Sequence, residues 1–85
     1  MMLPTIHSNG TSLNTLIDGY DAIDEALFRL ELKWREVEFN ARDYYPQGPY
    51  AYTLARDERQ QHGAKIKEVR AYIDGIRQHL HDQLP

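Results

Sequence analysis

The strongest constraint in this chain is the spacing of its apolar residues. Leu13, Leu16, Ile17, Tyr20, Ile23, Leu27, Leu30, Trp34 and Val37 follow one another mostly in steps of three and four. That period lays them along one stripe of a helix. Thr11 and Ser12 stand where an N-cap hydroxyl would accept from the first free N–H groups. Asp18, Asp21 and Asp24 put negative charge in the half of the helix where its dipole favours it. Gly19 weakens this segment by about 1 kcal/mol relative to alanine without ending it. The spacing predicts a helix over 12–39.

A second stripe, Tyr52, Ala55, Arg59, His62, Ile66, Val69, Ile73, Ile76 and Leu80, alternates threes and fours like a coiled-coil seam. Pro49 suits a first helical position because it has no N–H to leave unpaired. The predicted helix runs over 49–83. A kink is expected near Gly63, where the seam is polar at Arg59 and His62. The fold class is therefore all-α: an antiparallel hairpin of two long helices, with an irregular arm over 1–11 and a connection over 40–48, in a single domain over 1–85. A lone hairpin leaves half of each stripe uncovered. Phe28 and Leu32 widen the apolar face further, as a helix with more than one neighbour requires. With only 85 residues and no cysteine, association is the available supplement to a small core, so at least a homodimer, and hence a homo-oligomeric helical bundle, is expected.

Charge and hydropathy narrow the function classes. A net charge of −3 argues against generic nucleic-acid binding. No apolar run reaches the roughly 20 residues of a bilayer span, and the start lacks the basic flank and apolar core of a signal peptide. A soluble intracellular protein follows as the expectation. No base, nucleophile or metal set can be assembled from the inventory, so the chain reads as a non-enzyme without a cofactor. Asp18, Asp21, Asp24 and Glu25 read as a solvated face, and His79 and His81 as an exposed frayed end. Arg56 and Arg59 either pair with Asp57, Glu58 or acids of helix 1, the favoured expectation, or extend an anion site at the start of helix 2.

Two irregular pieces hold the candidate site residues. "NARDYYPQGPYAY", residues 40–52, contains four of the six tyrosines. Tyr44 and Tyr45 either cap the bundle or form a recognition surface, with Arg42 and Asp43 beside them and Gln47 and Gly48 shaping the turn. Rigid aromatics, an arginine and a helix N-terminus would together suit a planar phosphorylated ligand or a protein surface. The other piece, "PTIHSNGTS", is a turn running into a helix cap. Its His7, Asn9, Gly10, Thr11 and Ser12 could also cradle an anion. Helix 1 separates the two pieces by about 37 Å at 1.5 Å per residue, so a shared site calls for two protomers or an arm that folds back.

The strings "PTIHSNGTS", "ARDYYPQGP" and "AYTLARDER" resemble those of small helical proteins encoded by tailed bacteriophages and prophages. The resemblance implies phage origin, expression in a bacterial cytoplasm and a role in countering host defence. By analogy of architecture, such a protein could act as a sponge for a cyclic nucleotide or another nucleotide-derived immune signal. The alternative expectation is an inhibitor or adaptor that docks on a host defence protein through the tyrosine-rich loop.

Overall fold

A computed structural model describes residues 1–85 and contains no strand. Two long helices, α1 (Leu13–Glu36) and α2 (Ala51–His81), pack antiparallel, joined by two single 3-10 turns at Ala41–Asp43 and Tyr45–Gln47. The molecule is a rod of 61 × 22 × 18 Å.

Local chemistry sets the boundaries. Ser12 is the N-cap of α1, its Oγ accepting from the Thr15 N–H at 3.1 Å. α1 ends at Glu36, three residues before the expected stop, because Val37 turns extended at ψ 123°. That exit lets Phe39 join a ring cluster with Tyr44 and Tyr52, centroids 5.3 and 5.5 Å away. α2 starts two residues after Pro49, and Gly48 ahead of it adopts φ 129°, a conformation that favours glycine.

No break interrupts α2 at Gly63. A Cβ built on Gly63 would lie 3.5 Å from Trp34 Nε1, so this residue makes room for the indole. It replaces His62 on the inner face, and His62 points to solvent.

The core lies at one end. Ile17, Ile73, Ile76 and Leu80 are the buried residues, with Leu80 at 0% and Ile76 at 2% exposure. Their burial depends on a third element, the N-terminal arm. Ile6 packs against Ile17, Ile76 and Leu80, the Pro4 carbonyl lies 2.9 Å from His79 Nε2, and the Met1 side chain rests against Gly75. His79 is thus tied down rather than frayed.

One edge of the helix pair is polar. Arg77 reaches Asp21 at 2.9 Å, Asp24 at 3.3 Å and Asp74 at 3.3 Å, and His81 reaches Asp21 at 2.9 Å. Asp21 and Asp24 are therefore structural ion-pair partners, where the sequence suggested a solvated face. Hydrogen bonds from His81 and then Arg77 hold the Asp21 carboxyl below its ordinary value, and Asp21 in turn raises the Arg77 guanidinium. Further along the same edge, Arg70 bonds Glu31 at 2.9 Å and covers the Phe28 ring at 5.7 Å.

Candidate functional site

The two irregular pieces occupy opposite ends of the rod, joined by the 24 residues of α1, a rise of about 36 Å. Within one chain they do not meet. The arm folds back, but only along the last turns of α2, between His79 and Gly75.

At the arm end, His7 to Gly10 form a turn closed by a Gly10 N–H to His7 carbonyl bond of 3.1 Å. The His7 ring lies over Gly10, where an added Cβ would fall 2.8 Å from its Nε2. The close approach that Gly10 permits is thus used by the chain's own imidazole. Asn9 and Thr11 are exposed. Ser12 is committed to the cap, also donating to Thr15 Oγ1 at 2.7 Å.

At the loop end, the adjacent tyrosines diverge. Tyr44 is half-buried among Phe39 and Tyr52, whereas Tyr45 is 62% exposed. The Gln47 and Gly48 N–H groups are consumed by the carbonyls of Tyr44 and Tyr45 at 2.9 and 3.1 Å. Arg42 and Asp43 are exposed and form no ion pair with each other. Arg42 is an exposed cation with no ion pair, in the same connection as the exposed Tyr45.

The most developed concavity lies next to this loop, on the polar edge of the helix pair. It is a groove of about 450 Å³ walled by Trp34, Phe39, Gly63 and Ile66, with Arg35, Arg56, Arg59 and Lys67 around it. Arg59 sets its floor: the guanidinium donates to the Trp34 carbonyl at 2.6 Å and lies 5.0 and 5.1 Å from the Trp34 and Phe39 ring centroids. Instead of pairing with an acid as expected, Arg59 bridges the end of α1 to the loop. Arg56 does pair, with Asp57 at 3.2 Å. Glu31, the one carboxylate lining the groove, is held by Arg70 at 2.9 Å and reached by Arg35 at 3.8 Å. Arg35, Arg56 and Arg59 are each engaged, by Glu31, Asp57 and the Trp34 carbonyl, so Lys67 is the one cation around the groove with no ion pair, and the lining keeps a positive excess in a chain of net charge −3. Its aromatic wall offers a flat apolar face.

Trp34, Arg35, Gly63 and Lys67 were not among the sequence-predicted site residues. Their signal was nonetheless present, since Arg56, Gln60, Gly63 and Lys67 repeat in steps of four, three and four on one face of α2. Comparison with known protein families, curated proteins and solved structures gives no match.

Proposed function

We propose that this protein is a homo-oligomeric binding protein that captures a small phosphorylated, nucleotide-derived ligand without turning it over. The observation that supports the reading is the cationic groove beside the loop. Trp34 supplies a face for a planar base, Lys67 supplies free donors for phosphate oxygens, and Arg35 and Arg56 add the guanidinium donors not spent on Glu31 and Asp57. Arg42 and Tyr45, exposed at the same end of the rod, extend the recognition surface. Coupled with the resemblance to phage-encoded proteins, the reading becomes sequestration of a nucleotide immune signal in a bacterial host cytoplasm.

Isothermal titration against a panel of cyclic nucleotides tests it. Binding with recovery of unmodified ligand is expected, and Lys67→Glu should weaken that binding at least about tenfold. Silence across the panel would sink the reading.

A second reading has its own support. Tyr45, Tyr50 and Leu54 are all exposed around the loop and the first turn of α2, a composition suited to protein docking. Under it, the protein is an inhibitor or adaptor of a host defence protein. Tyr45→Ala would then abolish association with that protein, whereas Lys67→Glu in the groove would leave it unchanged.

A further inference from the structure

The edge of the hairpin opposite the ion pairs is apolar and uncovered. On α1, Asp21, Asp24, Phe28, Glu31 and Arg35 lie to one side of the inner stripe. Ile23 and Leu30 lie to the other, since residues seven apart share a helix face, and the C-cap Val37, its N–H still bonded to the Lys33 carbonyl, follows them in register. The three are 45%, 45% and 59% exposed. On α2, Arg70, Asp74 and Arg77 face the ion-paired edge, while Val69, Tyr72, Ile76 and His79 share the opposite one. The ion pairs join the two polar edges, so the two apolar edges fall on the same side of the molecule. The arm covers this side at Ile76 and His79 and stops there. Val69 and Tyr72 are about half exposed.

The rod as a whole exposes enough area to give up a stable interface. A compact monomer of 10.0 kDa exposes about 5,200 Å², against 6610 Å² here. The excess of about 1,400 Å² is more than the roughly 800 Å² that one partner contributes to a standard stable interface.

The geometry points to a second copy of this chain as the occupant, packed antiparallel with its two-fold axis at Leu30. An isologous contact of a seven-residue series matches Leu30 with itself and Ile23 with Val37. This deepens the homo-oligomeric half of the proposed function and does not depend on its ligand. Pairing about Leu30 also has a consequence for the separated site pieces. Glu36 lies about 9 Å from Leu30 along α1. In the partner it comes level with Asp24, and the loop beyond it comes level with earlier residues. The arm occupies that same stretch, level with Asp21 and Asp24 as judged by their pairing with Arg77, and it lies on the apolar side, seated on Ile76 and His79. The second copy thus brings its Arg42 and Tyr45 alongside the first copy's arm, which no single chain achieves. The cationic groove, on the opposite edge, stays open.

The absence of cysteine makes a clean test, run on ligand-free protein so that its outcome is independent of nucleotide capture. Leu30→Cys should form a disulfide dimer on mild oxidation, as only a residue on the axis pairs with its own copy. Ile23→Cys and Val37→Cys should each stay uncrosslinked alone and crosslink when mixed. Circular dichroism of each variant confirms the helical fold before oxidation. Self-crosslinking of Ile23→Cys and Val37→Cys separately would mean parallel packing and overturn the proposal. So would folded variants that crosslink nowhere, or a 10 kDa species by light scattering at micromolar concentration.

Discussion

The two ends of the hairpin are built from the same two helices and solve the problem of closure differently. At the arm end a third strand of chain lies over the helices, and all four buried residues are there. At the loop end no such cover exists, and the contact between helices is made by Trp34 in the space left by Gly63, with Arg59 spread across two rings. Two helices bury little by themselves. A third layer is what turns an apolar stripe into a core. The uncovered end keeps its cations and aromatics accessible, which is the condition a binding surface needs.

The largest test of that contrast compares one leucine from each end. Leu80→Ala removes a fully buried side chain and should cost about 2–5 kcal/mol, enough to lower the melting temperature by more than about 10 °C in a domain of this size. Leu54→Ala, from the exposed side of the loop end, should stay within about 0.5 kcal/mol. Equal losses in thermal melts would erase the distinction. A finer comparison stays within the loop. Tyr44→Ala breaks the ring cluster and should cost about 1–2 kcal/mol, whereas Tyr45→Ala should leave stability nearly unchanged and instead impair binding of ligand or partner. If both variants lose only stability, the loop is a cap.

The smallest expected effect is acid sensitivity at the arm end. The Asp21 carboxyl is held below its ordinary 3.8 by His81 and Arg77. Its contribution is therefore complete above that value and drains away as pH falls through the lower folded value. A partly exposed pair is worth about 0.5 kcal/mol. Melts from pH 6 to pH 2 should show the wild type losing slightly more than Asp21→Asn below about pH 4. Parallel curves would remove Asp21 from the account.

Much of the hairpin was legible because period is a local property. The stripes set both helices, and the Ser12 cap and the Gly48 turn follow from residue chemistry at single positions. What periodicity misses is which large side chain needs space. Trp34 displaced His62 from the seam in favour of Gly63, and nothing within α2 alone announces that. The roles of His79, His81, Asp21 and Asp24 also escaped, because their partners lie 53 to 75 residues away. The cationic groove was hidden for the same reason. Its walls come from both helices and become neighbours only once the hairpin closes.

The seat of the arm has a consequence for the order of events during synthesis. Pro4 leaves the ribosome 75 residues before His79, at translation rates of about 5–20 residues per second. α1 must therefore wait several seconds with Ile17 bare, and the contacts that bury it are among the least local the chain can make. Helical proteins owe their fast folding to short-range contacts, and this one has tied its core to its longest. A nascent chain halted before residue 73 would hold the groove residues and the loop but none of Ile73, Ile76 and Leu80, leaving a sticky intermediate that chaperones or a neighbouring nascent copy would meet first.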